Sequence, residues 1–444
     1  MKLTFTALLC LCATLAPSLD ASAQIGRRFP SERKVVKDPV TGTMLTFLTS
    51  KPHGDSKIYP THPQWTSDGK WVVFRSRLAG GEAMAVNEET GDLVQVTEGG
   101  YLGMLNLARK SMKLYYLRRT DAGLQVVEAD LGNILAASAA GKMQPAATYQ
   151  RVAATLPASL QAGGDLALDS DEEWVYFAVG KEEAARHLAA GTKIEPAFGP
   201  RSMGAGPTGI ARLNVRTGEV KHVVSVPFQV GHIQANLFKP GELVFSWETG
   251  GKSPQRTWTV NADGSGLRAL YPEASYEWVT HEAVISKDEV AMAIMGHRAI
   301  PGAAAAVAGP ATDVGGANPG QGDGWGQTGT REKPSGLAIV NLRTRQMQIV
   351  GQTESGSGLW HVHGSSDGRF AVGDDFSRSV YLIDRRNREM MLLTAGHKTT
   401  AADHPHPTFS ADGTRIQIQS AMLAEDGRTM NIVIVPVPAA WLKR

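Results

Sequence analysis

Apolar and polar residues alternate in many short segments of this 444-residue chain, and few windows show the 3.6-residue period of an amphipathic helix. The clearest alternating segments each follow a tight turn: Trp71–Phe74, Lys113–Leu117, Trp174–Phe177, Leu243–Trp247 and Arg415–Gln419. Successive side chains of a strand point to opposite faces, so a two-residue period is typical of short β-strands. The pattern therefore predicts an all-β protein.

Seven turns of this kind recur along the chain, rich in Asp, Gly, Ser and Lys, at 67–69, 109–111, 169–172, 239–241, 286–288, 366–368 and 410–413. Four short strands at a period of roughly 40–50 residues are typical of one blade of a β-propeller. Seven turns predict a seven-bladed β-propeller over residues 24–444. Residues 33–50 resemble an outer strand pair, and we expect this N-terminal strand segment to complete the last blade, begun by 404–436. That pairing would close the ring and remove exposed strand edges.

The first 23 residues have the features of a signal peptide. Lys2 gives a positive start, residues 3–16 form an apolar core, and 21–23 read Ala-Ser-Ala, a small-residue cleavage site. Cys10 and Cys12 are the protein's two cysteines, so the mature chain would fold without disulfides. We predict a periplasmic or secreted protein. No stretch reaches the roughly 18 apolar residues of a membrane span, so none is expected.

Charge and composition narrow the class of protein. Lys and Arg total 45 against 43 Asp and Glu, which gives a net charge of +2. A nucleic-acid binder would show a basic excess, so no nucleic-acid partner is expected. Residues 301–336 are rich in Ala, Gly and Pro, and we predict a flexible insertion within the propeller. The alternative interpretation is that this insertion forms a lid over a substrate cleft. Residues 183–190 are helix-prone.

Six of the twelve histidines lie six to eight residues before one of the seven turns: His62, His232, His281, His361, His404 and His406. Residues at one height on neighbouring inner strands converge on the propeller axis, so we expect these side chains at one end of the central channel. His404 and His406 are two residues apart and therefore on one side of a strand. With His361 they offer three imidazoles, a set that suits Mn²⁺, Zn²⁺ or Ni²⁺. The alternative is that hydrogen-bonded histidines line a wet channel.

Two further residues fit a ligand with a carboxylate and a sugar ring. Arg256 is expected on the same rim, where a guanidinium pairs with a carboxylate through two parallel hydrogen bonds. The alternative for Arg256 is an ion pair on the surface or between blades. Trp360, beside His361, is the aromatic residue that best suits a sugar contact. The chain has no phosphate loop and no Gly-x-Ser-x-Gly sequence.

From about Arg33 to the C-terminus, apart from the insertion, the chain resembles the oligogalacturonate lyases, seven-bladed propellers of polysaccharide lyase family twenty-two. The resemblance is carried by Val230-Gly-His232, Arg256-Thr-Trp258, Val260-Asn-Ala-Asp-Gly264, Thr280-His-Glu282 and His404-Pro-His-Pro-Thr-Phe409. It implies a metal, Mn²⁺ foremost, on His361, His404 and His406. It also implies His281 as the catalytic base and Arg256 as the catalytic arginine.

The implied reaction is β-elimination on a uronic-acid oligosaccharide, and we predict that His232, His62 and Trp360 bind this substrate. The family has a glutamine where this chain has Ala401, so Asp403 or a water would take its place. Family members that act on pectin fragments inside the cell lack a signal peptide. Two alternatives stay open. One is a non-enzymatic periplasmic propeller resembling that of TolB, and the other is a lyase homologue with an altered uronide substrate.

Overall fold

The computed structural model describes residues 24–197, 202–249, 253–273, 277–295, 335–352 and 359–444. The predicted signal peptide and residues 301–334 of the predicted insertion lie outside this part of the chain. The described residues form seven antiparallel sheets of four or five strands. From blade 2 to blade 7 the first strands of successive sheets contact one another, and the first strand of blade 1 contacts strands of blade 7. The seven sheets confirm the predicted seven-bladed propeller.

In each of the first four blades the strands follow one another in order from the channel outward. Blade 1 contains Asp55–Lys57, Trp71–Ser76, Ala83–Asn87 and Leu93–Gln95, with Arg28–Phe29 on its outer edge. Blade 2 contains Leu102–Leu107, Lys113–Thr120, Gly123–Asp130 and Gln150–Leu156. Blade 3 contains Gly163–Leu168, Trp174–Val179, Ala205–Asn214 and Val220–Phe228. Blade 4 contains Val230–Ala235, Glu242–Trp247, Thr257–Asn261 and Arg268–Ala269.

Blades 5 and 6 follow the same order, whereas the two outer strands of blade 7 come from the N-terminal part of the described chain. Blade 5 contains Trp278–Ser286, Glu289–Met295, Ser335–Asn341 and Met347–Gly351. Its third strand thus includes the last two residues of the predicted insertion, 335 and 336. Blade 6 contains Val362–Gly364, Phe370–Asp374, Val380–Asp384 and Glu389–Thr394. Blade 7 contains Thr408–Phe409, Arg415–Ser420, Asn431–Pro436, Met44–Phe47 and Lys34–Lys37.

Blade 7 is built from both ends of the described chain. The strand Met44–Phe47 pairs antiparallel with Asn431–Pro436, with Thr46 opposite Ile434 and Phe47 opposite Val433. The strand Lys34–Lys37 then adds the outer edge. This arrangement confirms the predicted closure of the ring by the N-terminal strands.

The core lies between the blades. Tyr116 of blade 2 packs with Val73 of blade 1, and Phe370 of blade 6 packs with Val435 of blade 7. Because neighbouring blades cover both faces of a blade, the middle strands are buried on both faces, and Glu242–Trp247 is buried at every position.

The helices are short and peripheral: α-helices Leu131–Ala140, Lys181–Ala185 and Ala439–Leu442, and 3₁₀-helices Ala146–Thr148 and Ala158–Leu160. The longest begins after Asp130, whose side chain accepts a hydrogen bond from the backbone N–H of Asn133, and it ends at Gly141 in the left-handed conformation. Sequence analysis did not predict it. The helix-prone segment 183–190 overlaps Lys181–Ala185. No helix of the described residues is long and apolar enough to cross a membrane.

Candidate functional site

A cavity of about 370 Å³ opens at one end of the channel, and its wall contains all six histidines that were counted back from the turns: His62, His232, His281, His361, His404 and His406. The wall also contains Tyr59, whose ring lies edge-on to His232, His361 and His406. The predicted convergence of these histidines on one site is therefore confirmed.

Three histidines in or beside the inner strands have a left-handed backbone conformation, and their side chains line the cavity. His232, His281 and His406 have φ of 50°, 53° and 54°. The strand register shifts around His232 and His281, as in a β-bulge. A bulge redirects the side chain that it carries, and histidine tolerates the left-handed region better than most residues. Blades 2 and 3 have the same irregularity at Gly103 and Gly164.

A group with the donors of a metal site lies beside this wall. One ligand atom each of His361, Asp374 and His404 fall within 4.8 Å of one another, and all three residues are buried. The inner hairpin of blade 6 explains the pairing. Val362 lies opposite Gly373, so His361 and Asp374 are the next facing pair, and the N–H of Asp374 donates to the carbonyl of His361 at 3.0 Å.

The donor set fits a borderline divalent cation. Both ring nitrogens of His404 are buried, and neither forms a hydrogen bond with a described residue. Nδ1 of His361 lies 3.2 Å from each carboxylate oxygen of Asp374. Imidazole nitrogens with a carboxylate suit Mn²⁺ or Zn²⁺. Because a buried polar atom without a partner is unfavourable, a bound cation would satisfy His404.

His406, the third predicted ligand, lies next to this group. Its ring stacks on that of His361 with centroids 3.6 Å apart. Its Nε2 is 3.1 Å from Oδ1 of Asp403, which leaves Nδ1 as the nitrogen open to a ligand. Two of the three predicted ligands therefore lie in the donor group and the third is in contact with it, while Asp374 was missed.

His361 and Asp374 are in the protonation states that bind a metal. Burial, followed by the nearby charge of His406, lowers the pKa of His361 to about 4. Burial alone would raise the pKa of Asp374, but the charge of His361 and hydrogen bonds from it outweigh burial and hold that pKa below its usual value. A neutral imidazole and an ionised carboxylate are the forms that coordinate a cation.

His281 is held in one orientation by blade 6. Its Nδ1 lies 2.6 Å from the carbonyl oxygen of Trp360. A carbonyl can only accept, so Nδ1 carries the proton and Nε2 is the nitrogen with a free lone pair. Burial, helped by His361 and Arg256, holds the pKa of His281 well below its ordinary value. The side chain therefore combines a fixed tautomer with an unprotonated nitrogen, Nε2, in the cavity wall.

Arg256 is buried behind the wall, with 2% of its surface exposed. Its Nε lies 3.2 Å from Oε2 of Glu282 and its Nη2 lies 3.4 Å from Oε2 of Glu248. Glu248 is also 3.3 Å from Nε2 of His232. The arginine thus forms the ion pair between blades that sequence analysis held as the alternative, and it reaches the cavity through Glu248 and His232. Its catalytic role stays a prediction.

The other predicted substrate contacts are largely occupied by protein. His62 accepts from Thr61 at Nδ1, at 2.7 Å, and donates from Nε2 to the carbonyl of Leu166, at 2.8 Å. Trp360 lines the cavity but is buried, and it packs against Trp278 and Phe376. His232 is the more open of the three, with 28% of its side chain exposed.

Ala401, which stands where the resemblance implies a glutamine, is buried against Ala421 and Met430. Asp403 lines the cavity instead, and its Oδ2 accepts a hydrogen bond from Nε2 of Gln419 at 3.0 Å. An acidic residue thus lies near the position of the missing amide.

Several solved structures have a similar fold. An oligogalacturonate lyase in complex with manganese superposes with a TM-score of 0.69 at 17% identity, covering 94% of this chain and 99% of that one. An oligogalacturonate lyase from Vibrio parahaemolyticus gives 0.69 at 18%, covering 94% and 100%. The propeller fold is shared with both lyases. The WD40 repeats of RRP9 give 0.50 at 10%, covering 91% and 100%.

No protein-family model matches the chain, and no curated protein sequence matches it. At these identities the likeness to the two lyases concerns the fold. The manganese in one of them and the His361–Asp374–His404 group of this chain agree in kind with the predicted divalent metal.

Proposed function

We propose that this protein is a metal-dependent lyase that cleaves uronic-acid oligosaccharides such as oligogalacturonides by β-elimination. The observation that carries the proposal is the pairing of two features in one cavity. The donor group of His361, Asp374 and His404 lies beside His281, whose ring centroid is 4.1 Å from that of His361. The shared fold with a manganese-containing oligogalacturonate lyase supports the same reaction.

The elimination requires a base next to a carboxylate-binding site. The C5 proton of a uronate lies next to its carboxylate and is only weakly acidic. Nε2 of His281 takes this proton, while the donation from Nδ1 to the carbonyl of Trp360 stabilises the cationic ring that results. The electrons of the C5–H bond form the C4–C5 double bond, the C4–O bond breaks, and the departing oxygen takes a proton from water.

His361, Asp374 and His404 would hold the metal, with His406 beside them. A divalent cation, Mn²⁺ in our proposal, supplies a Lewis acid for the charge that develops on the uronate carboxylate. Arg256 acts from behind the wall. Because it neutralises Glu248 and Glu282, the carboxylates around His232 repel an anionic substrate less.

One observation favours a lyase with a different uronide as the second candidate. Ala401 replaces the glutamine that the resemblance implies, and the acidic Asp403 lines the wall near that place. An added negative charge would change both the affinity for the metal and the choice of sugar. Export to the periplasm or medium, proposed from residues 1–23, would also expose the enzyme to substrates outside the cell.

A panel of uronides tests the proposal. Mature protein is chelated, reloaded with Mn²⁺ and incubated with oligomers of galacturonate and of other uronates, while the ultraviolet absorbance of the new double bond is followed. We expect a rise that depends on the metal and on one class of oligomer. Metal binding without any rise on any uronide would contradict the lyase, and a protein that binds no metal would favour a binding module resembling TolB.

A further inference from the structure

We propose that Arg378 is the residue that binds the carboxylate of a uronate unit in the cavity. The class of sugar rests on the proposed function, whereas the anion site rests on the geometry alone. Arg378 lines the same wall as His281, His361 and His404. Sequence analysis assigned a carboxylate to Arg256 and did not single out Arg378.

Two nitrogens of the Arg378 guanidinium have no hydrogen-bond partner among the described residues. Its Nε and Nη1 are buried from solvent, and neither forms a hydrogen bond. Removing a cation from water without a counter-ion is unfavourable. An incoming anion would supply the acceptors that these nitrogens lack. Burial accordingly lowers the pKa of Arg378, although the charges of Asp374, Asp403 and Asp375 act in the opposite direction.

The nearby acids do not pair with Arg378 because other groups hold them. Asp374 accepts the backbone N–H of His361 at Oδ1, at 2.8 Å, and that of His406 at Oδ2, at 3.0 Å. Asp403 binds His406 through Oδ1 and Gln419 through Oδ2. All four carboxylate oxygens therefore have donors already. The positive charge of Arg378 remains available to a ligand.

A rigid turn presents the arginine. The side chain of Asp375 accepts hydrogen bonds from the backbone N–H groups of Ser377 and Ser379, each at 2.9 Å. The backbone N–H of Arg378 donates to the carbonyl of Asp375 at 3.1 Å. The preceding Phe376 packs against Trp360, with ring centroids 5.1 Å apart. The turn is thus fixed to the residue whose carbonyl orients His281.

The chemistry of the position selects a carboxylate of a sugar acid. A guanidinium matches the two oxygens of a carboxylate in one plane, which a neutral sugar cannot offer. The cavity of about 370 Å³ has room for a sugar-sized ligand, and its other wall residues include Thr61 and Asp165, which suit hydroxyl groups. Arg256 cannot take this role in the described arrangement, since Glu248 and Glu282 already pair with it.

The test compares Arg378→Gln with Arg388→Gln. Arg388 is a matched control because it belongs to the same blade, has a φ of 60° against 66° for Arg378, and is exposed away from the cavity. Binding of trigalacturonate and of neutral galactotriose to chelated protein is measured by calorimetry. We expect Arg378→Gln to weaken trigalacturonate binding about 10- to 100-fold, the scale of one lost charge-assisted pair. Arg388→Gln should match the wild type, and Arg378→Lys should fall between.

The inference is overturned if Arg378→Gln binds trigalacturonate as the wild type does, or if the wild type does not prefer it to galactotriose. The lyase proposal fails separately. A protein that binds trigalacturonate through Arg378 but forms no unsaturated product keeps this site and loses the elimination. A functioning lyase whose KM is unchanged by Arg378→Gln keeps the elimination and loses this site.

Discussion

Asp374 links histidines of two blades through its two oxygens. Oδ1 binds the backbone of His361 in blade 6, and Oδ2 binds the backbone of His406, just before the inner strand of blade 7. The same carboxylate faces the ring nitrogens of His361 and His404. One buried residue therefore both positions the donors and contributes the negative charge that a cation needs.

Asp374→Asn should reduce Mn²⁺ affinity by more than tenfold, because losing even a supporting partner of a ligand costs roughly 10–100-fold. Asparagine keeps the size but has one acceptor oxygen and no charge. Titration calorimetry of chelated protein with Mn²⁺ measures the change. Asp121→Asn, at an exposed turn of blade 2, is the control. Wild-type Mn²⁺ affinity in Asp374→Asn would remove Asp374 from the metal site.

Asp55 gives a pH-dependent prediction outside the metal site. Burial raises its pKa from 3.8 to about 6, so the folded state binds more protons than the unfolded state between these values. This residue therefore makes the protein less stable as the pH rises through that window. Asparagine does not titrate. Relative to the wild type, Asp55→Asn should gain thermal stability as the pH rises from about 4 to 6 and level off above about 7.

Thermal unfolding of both proteins between about pH 4 and pH 8 checks this difference. Asp121→Asn, at an exposed position of blade 2, is measured alongside as the control. If the offset between Asp55→Asn and the wild type stays constant with pH, Asp55 titrates normally and the argument from burial is wrong.

At the scale of elements, the inner strands carry the site through a repeated irregularity. Gly103, Gly164, His232, His281 and His406 all adopt the left-handed conformation in or beside an inner strand. Each non-glycine residue in this region costs ~1–2 kcal/mol. Three histidines accept that cost where they line the cavity, and two glycines avoid it. Part of the backbone strain of the described residues thus lies at candidate functional residues.

The two glycines provide a matched pair of substitutions. An added Cβ at Gly103 would lie 2.4 Å from the carbonyl oxygen of Gly164, whereas a Cβ at Gly164 would meet nothing within 4 Å. Gly164→Ala should cost only the left-handed conformation, ~1–2 kcal/mol. Gly103→Ala should lose clearly more, because backbone must also move. Urea unfolding measures both free energies, and equal losses would refute the close packing of blades 2 and 3 at this point.

The spacing of the turns determines which residues of the site can be predicted from the sequence. A tight hairpin fixes the register, so counting back from the turns brought six histidines to one cavity. The same count across the blade 6 hairpin places His361 opposite Asp374, so the sequence also contained the position of this carboxylate. Arg256 and Arg378 are different. Their partners, or lack of them, depend on side-chain directions between blades, which a two-residue period does not encode.

At the scale of the molecule, the closure in blade 7 joins the two ends of the described chain. The pairing of Met44–Phe47 with Asn431–Pro436 covers a strand edge that would otherwise be open to other chains. Phe47 is fully buried in a core shared with Phe370 of blade 6. The ring therefore depends on strands about 390 residues apart in sequence, a separation that gives the fold many non-local contacts.

Phe47→Ala should lower the free energy of unfolding by about 3–5 kcal/mol, the usual cost of removing a buried phenyl ring. Met44→Ala is the control, because Met44 belongs to the same strand and is 50% exposed, so its change should stay within about 0.5 kcal/mol. Denaturant unfolding followed by tryptophan fluorescence measures both. Similar losses for the two variants would show that the closing strand contributes little to the core.

We propose that the channel cavity performs an elimination with His281 as base. The most direct measurement is the ultraviolet absorbance of unsaturated product formed from oligogalacturonide by metal-loaded wild type and His281→Gln, with their metal contents determined in parallel. We expect a metal-dependent rate for the wild type and a loss of about 10²–10⁴-fold in the variant at equal metal content. Near-normal turnover by His281→Gln would contradict it.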